Sequence, residues 1–484
     1  MADSLKDKTV AGMLWSSIGK FGAMGLSFVA NLVLARLLLP EHFGCIGMLY
    51  IFIAISQAFI YGGLATALIQ KKDAKAIDYT TVFYWNLTVS ILCMGILYLV
   101  APAIARFYEM PLLSNLLRVQ SLMLLICSFS AVQSTILQKT LRFKSLAIRN
   151  IISTGCGVMV AVIMAYKGFG VWSLVANGLV SGVVSVFLLW NMSSWRPTFE
   201  FSIQSFKELF GFGGLILISS VVETLYTHIQ GLIIGKLYTA DDMGYYSQAR
   251  KLEEIPTMAL SSIVNDVSFP VFSKLQDDKE QMVRGLRKVV KSITYMNFPM
   301  MVMLIIIAQP LIHLLYTDKW DGAVLYFQIL CVGSMAYTLN TLNVNVVKSL
   351  GKGNIYLVLQ LTKRFVGLAL LVAGILFGIQ GLLWAVTINV YVSFLISAFV
   401  SGRLVNYGIR KQLCDIAPSY FIAWGVGALV YWIFKEIEIH YVVEMIAQVF
   451  VYAAIYLGVT ILLKQEGFYV YWEIAKKYID RFRK

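Results

Sequence analysis

The chain has 484 residues, of which 59% are hydrophobic and only 14% charged, whereas soluble domains carry about 25% charged residues. With so few charges a chain of this length cannot cover a globular surface, so much of its exterior must face lipid. The formal net charge of +14 would imply nucleic acid only if the bases formed a patch, and they are scattered through short loops.

A membrane-spanning helix needs roughly 20 predominantly apolar residues. On that rule the chain is predicted to contain about fourteen spans, near 9–38, 41–69, 79–105, 111–137, 146–166, 169–191, 208–235, 242–273, 292–316, 322–347, 353–377, 380–402, 413–434 and 440–463. The N-terminus runs from Met1 to Lys8 into a long apolar segment with no small-residue cleavage site, so a retained first helix is expected. The weakest span is 242–273, which holds Arg250, Lys251, Glu253, Glu254 and Asp266 and taken alone reads as a surface helix. The tail from Lys464, with Tyr469, Tyr471, Trp472, Lys476, Lys477, Arg481 and Arg483, reads as an interfacial aromatic and basic anchor. Cys45, Cys93, Cys127, Cys156, Cys331 and Cys414 stand singly, without ligand or redox spacing, and are expected to be free thiols.

Lys and Arg placement sets the orientation. With both termini cytoplasmic, 27 of the 40 bases fall on the cytoplasmic side, including Lys71, Lys72, Lys75, the loop from Lys274 to Lys291, and the tail. Arg36, Arg106, Lys167, Lys236, Lys319 and Lys435 fall on the other side, where every loop is short. A multi-pass membrane protein with both termini cytoplasmic is expected.

The chain also repeats itself. The run from Leu32 through Arg36 and Pro40 to Gly44 returns 200 residues later as Leu232 through Lys236 and Ala240 to Gly244. Leu117 to Leu122 matches Leu325 to Leu330, and Gly170 to Leu174 matches Gly378 to Leu382, both at a shift of 208. Spans 1–6 thus correspond to 7–12, and an even number of spans per copy gives both copies the same direction. The predicted architecture is all-α, with six-helix bundles at 1–200 and 201–405, two further helices at 406–463, and a tail at 464–484. A binding cavity between the bundles is expected.

Charges at membrane depth are costly and face a cavity or a partner. Lys20 lies about 16 Å into the first span at 1.5 Å per residue, on one helical face with Ser16, Ser27 and Asn31. Span 242–273 carries Arg250, Glu254, Thr257, Ser261 and Asn265 in one stripe, and span 208–235 carries Ser220, Glu223, Thr227 and Gln230. Lys363 and Arg364 sit at mid-depth, and Gln57, Asn340 and Asn343 add uncharged polarity. Plainer readings stand beside these. Lys20 and Arg364 can be ion-pair partners of Glu223, Glu253 or Glu254; Lys363 can snorkel; Arg118 and Arg149 read as interfacial anchors; Asp266 can pair with a loop base. His228 reads as a hydrogen-bonded helical histidine before a proton carrier. Lys20 aligns with Ser220, so the duplicated scaffold does not require it. No phosphate loop, metal-spaced cluster or paired acids on an exposed loop occurs, so the chain is expected to move something and not to be an enzyme.

Asn31 to Gly44 (NLVLARLLLPEHFG) resembles the ARxLxPxxxG opening of Wzx-type polysaccharide exporters. Gly244 to Leu252 (GYYSQARKL) is similar to their GxYxxAxxL pattern, Val267 to Leu275 (VSFPVFSKL) to their xxPxxSxL helix end, and Leu315 to Trp320 (LYTDKW) to their LYGxxW loop, with Thr317 in place of glycine. The similarity covers residues 5 to 405. It implies the fold of the multidrug/oligosaccharidyl-lipid/polysaccharide exporter superfamily and a flippase passing undecaprenyl-diphosphate-linked oligosaccharide to the outer leaflet by alternating access. The implied cargo is an O-antigen, capsule or exopolysaccharide repeat unit. Lys20, Asn31, Gln57, Arg250, Asn340, Asn343, Lys363 and Arg364 are then the expected diphosphate and sugar contacts. Glu223, Glu254 and Asp266 are candidates for H⁺ or Na⁺ coupling, with no cofactor or metal. A polysaccharide polymerase and assembly proteins are candidate partners of an expected monomer in the membrane, with no nucleic acid. The alternatives are a peptidoglycan lipid-precursor flippase or a multidrug exporter of the same superfamily.

Overall fold

A computed structural model describes residues 2–61, 63–437 and 440–482, and among them every regular element is helical. Arg483, counted in the basic tail, lies outside the described residues. The chain forms two compact units, Met1–Gly244 and Tyr245–Lys484. The repeat boundary at 200 is a matter of sequence register, whereas compactness divides the chain at Gly244.

In the first unit α1 (Ala2–Leu37), α2 (Pro40–Tyr61) and α3 (Leu64–Gln70) lead into α4 (Ala76–Phe107). Then come α5 (Leu112–Gln120), α6 (Leu122–Lys139), α7 (Phe143–Tyr166), α8 (Trp172–Met192) and α9 (Ile203–Leu237). Helix α1 packs on α7, α7 on α8, and α9 along α2 and α3. The second unit takes in nearly all of α10 (Ala240–Lys274), then α11 (Lys279–Ile306), α12 (Ala308–Leu315), a short 3₁₀ turn (Asp318–Trp320) and α13 (Gly322–Ser349). It closes with α14 (Gly353–Ile375), α15 (Gly378–Val405), α16 (Ile409–Phe434), α17 (Tyr441–Leu462) and α18 (Glu466–Phe482). Helices α13 and α14 pack on α15, and α11 on α16 and α18.

Thirteen helical segments of the described chain are long and apolar enough to cross a membrane. With large apolar side chains such as Leu99, Tyr166, Phe187, Phe365 and Leu376 exposed on their outer faces, this is a multi-pass membrane protein of the expected all-α class. The predicted span missing from the thirteen is α10, whose charges lower its hydropathy. Several of its polar groups are satisfied within the unit: Arg250 pairs with Glu254, Glu253 accepts from Thr257 at 2.6 Å and from Ser334 of α13, and Asn345 of α13 donates to Asn265 at 2.9 Å and Ser268 at 3.0 Å. A helix whose polar stripe is bonded to a neighbour tolerates low hydropathy.

Two expectations change. The basic stretch 279–291, read as a loop, is the first half of α11; Asp278 caps it by accepting from the Gln281 amide at 2.9 Å. Its Met282, Leu286 and Val290, four residues apart, are fully buried. Three predicted spans are also interrupted, between α2 and α3, at Ser121 and at Ile307. The six cysteines are free, as expected.

Within the first unit the repeated stretch meets its own copy. A Cβ on Gly44 would lie 1.8 Å from the Ala240 carbonyl oxygen, and one on Gly244 would lie 2.1 Å from that of Pro40. Residues 40 and 44 correspond to 240 and 244, so the contact is reciprocal about a local two-fold. Only glycine permits that approach of the two helix starts.

Candidate functional site

In the first unit the predicted residues lie on three helices. Lys20, on α1, is exposed and makes no ion pair among the described residues. Asn31 is half-buried further along the same helix, and Glu223 is exposed on α9. Gln57 of α2 points its amide at the Cys127 sulfur on α6 at 3.6 Å, while Tyr61, one turn on, reaches the Cys127 carbonyl at 3.3 Å and the Ser130 hydroxyl at 3.1 Å. Arg149, read as an interfacial anchor, instead stays inside the bundle. Its Nη1 donates to Ser185 of α8 at 3.1 Å, and its Nε is buried without a hydrogen-bond partner. Its position seven residues into an apolar helix was the available signal. His228 packs edge-on against Tyr50 with ring centroids 4.9 Å apart.

In the second unit two predicted residues come together. Lys363 of α14 is 6% exposed, and its ammonium donates to Asn340 Oδ1 of α13 at 3.3 Å and to Ser397 Oγ of α15 at 3.4 Å. Ser397 in turn donates to the same Asn340 oxygen at 2.8 Å. Among the described residues no carboxylate reaches Lys363. Buried charges are ordinarily paired with an opposite charge, and here the hydrogen-bond partners are the neutral oxygens of Asn340 and Ser397. Arg364 follows it and is half-buried.

The remaining predicted residues separate from that cluster. Arg250 and Glu254 form an ion pair along α10 at 2.9 Å, and Arg250 also donates to the Tyr246 hydroxyl at 3.0 Å. Asp266 is exposed more than three turns further along the helix. Asn343 is 0% exposed, with its amide bonded to the Leu339 carbonyl at 3.0 Å and its oxygen to Ser401 at 2.5 Å. In this conformation that side chain ties α13 to α15. No group of three or more His, Cys, Asp or Glu that could hold a metal occurs among the described residues.

Residues 33–325 match a family described as polysaccharide biosynthesis protein. The lipopolysaccharide biosynthesis protein WzxC of Escherichia coli (strain K12) is 26% identical over 331 residues, covering 68% of this chain and 67% of that protein. The succinoglycan biosynthesis transport protein ExoT of Rhizobium meliloti (strain 1021) is 26% identical over 392 residues, covering 80% of this chain and 79% of that protein. Among solved structures, the lipid II flippase MurJ in an inward closed conformation is similar with a TM-score of 0.75, at 15% identity, over 93% of this chain and 99% of that one. That last likeness is one of fold.

Proposed function

The chain belongs to the polysaccharide biosynthesis protein family, and from that premise we propose that it flips a lipid-linked oligosaccharide from the cytoplasmic to the outer leaflet of the cytoplasmic membrane. The cargo is an undecaprenyl-diphosphate-linked repeat unit of an O-antigen, capsule or exopolysaccharide, moved by alternating access with both termini cytoplasmic. The relatives named for lipopolysaccharide and succinoglycan biosynthesis support this class.

The observation that carries the reading is the Lys363 ammonium, buried against Asn340 and Ser397 with no carboxylate. A diphosphate brings two or more negative charges and strong acceptor oxygens, and charge-assisted hydrogen bonds from Lys363 and the adjacent Arg364 would answer them. The Asn340 amide suits a sugar hydroxyl. A multidrug exporter taking organic cations would place carboxylates where this chain has Lys363. Binding must stay modest, since a cargo held equally tightly in every state is not released.

Cells lacking the chain should lose surface polysaccharide and accumulate the lipid-linked oligosaccharide, and a Lys363→Gln variant at normal protein level should restore neither. Full restoration by that variant would overturn the assignment of Lys363. Loss of cell-wall precursor transport in place of surface polysaccharide would favour the peptidoglycan alternative.

A further inference from the structure

The first unit contains a second cationic site that the transport reading does not use. At the end of the unit where α4 finishes and α8 begins lies a groove of about 600 Å³, lined among others by Tyr98, Asn115, Arg118, Ser121, Leu122 and Trp172. That volume is within the range of small-ligand sites.

Arg118 dominates it. An interfacial anchor that only snorkels would extend into water. Here the guanidinium folds back over the Tyr98 ring, 4.6 Å from its centroid, with Nε donating to the Tyr98 carbonyl at 3.5 Å. No carboxylate pairs with it among the described residues; the acid of the adjoining α4–α5 turn, Glu109, is engaged by Lys236 at 3.0 Å. The floor is the break between α5 and α6, where buried Ser121 donates to the Arg118 carbonyl at 2.7 Å. Interrupted backbone at membrane depth is tolerated where it lines a cavity.

The scaffold does not demand this cation. At the 208-residue shift Arg118 corresponds to Tyr326, a buried side chain packed edge-on against Tyr245 at 6.2 Å. Depth is also informative. The span Leu112–Lys139 has 28 residues, about 42 Å against a hydrocarbon core of about 30 Å. Arg118, six residues in, therefore lies about 9 Å from its end, close to the headgroup boundary. Tyr98 and Trp172 are the amphipathic rings that favour this depth, and exposed Leu99 and Leu122 offer flanks for acyl chains.

We propose that this groove binds the phosphodiester headgroup of an anionic phospholipid, in the outer leaflet under the positive-inside assignment. The guanidinium fork takes the phosphate oxygens while Tyr98 backs its other face. One unpaired guanidinium matches the single charge of a phosphodiester, whereas a diphosphate would need a second cation. The inference does not rest on the transport reading, and its failure would leave that reading standing.

The test is lipid retention by the purified full-length protein, followed by native mass spectrometry with phosphatidylglycerol, phosphatidylcholine and undecaprenyl diphosphate as probes. The wild type should hold one phosphatidylglycerol more tightly than phosphatidylcholine. Arg118→Gln should weaken phosphatidylglycerol by about tenfold or more, the equivalent of 1.4 kcal/mol. Arg118→Lys should lie between, because the charge stays and the fork is lost. Arg106→Gln, at an exposed arginine of the same end, should bind as the wild type does. Should Arg118→Gln fail to fold, Tyr98→Leu, which keeps the guanidinium and removes its platform, should lower affinity several-fold. Unchanged phosphatidylglycerol binding by a folded Arg118→Gln, or by Tyr98→Leu, overturns the site. Displacement of phosphatidylglycerol by an equal concentration of undecaprenyl diphosphate overturns the phosphodiester assignment.

Discussion

Asp415 is held by three side chains, Arg287, Lys291 and Tyr407, and its removal should cost the second unit a large part of its stability. Its side chain, on α16, is nearly buried, and Arg287 of α11 grips it through Nε at 2.6 Å and Nη2 at 2.9 Å. Lys291 adds a contact at 3.3 Å and the Tyr407 hydroxyl one at 2.8 Å, while Lys291 also reaches Glu466 at the start of α18 at 2.7 Å. One carboxylate therefore ties α11 to α16 and, through Lys291, to the last helix. Removing one partner of a buried pair costs about 3–5 kcal/mol. Arg287, however, is 55% exposed and can return to water, so about 2–3 kcal/mol is the expected cost of Asp415→Asn, which keeps the shape and removes the charge. For a folding unit the size of residues 245–484 that corresponds to a melting temperature lower by about 5–10 °C. Thermal unfolding of purified protein in one detergent, followed by intrinsic fluorescence, is the assay. Lys291→Met should cost less, because the Arg287 fork survives. An unchanged melting temperature for Asp415→Asn would refute the reasoning.

Gly44→Val should destabilise the protein by about 1–3 kcal/mol through overpacking against the Ala240 carbonyl, read as a lower melting temperature; wild-type melting would show that the helix starts part freely. Asn345→Leu removes the bonds from α13 to Asn265 and Ser268 of α10 and should cost about 1–3 kcal/mol, with wild-type stability as the contrary result. Burial pulls the Lys71 ammonium down, but its hydrogen bonds to Glu208 and Asp78 outweigh that and leave its pKa above the ordinary lysine value. A raised cationic pKa stabilises fully below the unfolded value and is lost as pH climbs through the folded one. The stability advantage of wild type over Lys71→Met should thus be constant at neutral pH and fade above about pH 10. An advantage that fades on acidification would contradict it.

Most membrane-spanning helices were legible because they are unbroken apolar windows, as in Gly378–Val405, predicted as 380–402; the start of α11 at Lys279, thirteen residues ahead of the predicted 292, is the largest departure. Helix α10 was legible only through the repeat, since its partners Ser334 and Asn345 lie on a helix some 80 positions away in sequence. The interruption at Ser121 was hidden because neither glycine nor proline marks it, whereas the one at Ile307 had a signal in Pro310, which cannot donate the bond that would continue α11. The α11 start was readable from Asp278 and the 282/286/290 spacing, but its charge density suggested a loop. At the candidate site, composition and depth singled out Lys363 and Asn340, yet not their shared oxygen with Ser397, a residue of ordinary appearance in an apolar helix. Depth alone did misjudge Arg149, because what it meets is decided by α8, distant in the chain.

The central claim, that this chain carries a lipid diphosphate between leaflets with Lys363 as an anion contact, is tested most directly in proteoliposomes. A fluorescent undecaprenyl-diphosphate oligosaccharide placed in one leaflet is followed as it becomes accessible to a membrane-impermeant quencher on the other side. Wild-type protein should move it well above the protein-free rate. Lys363→Gln, inserted to the same level, should show apparent affinity weaker by about ten- to a hundredfold, the worth of a charge-assisted hydrogen bond. Transfer no faster than in empty liposomes, or equal transfer by wild type and Lys363→Gln at every substrate concentration, would contradict the account.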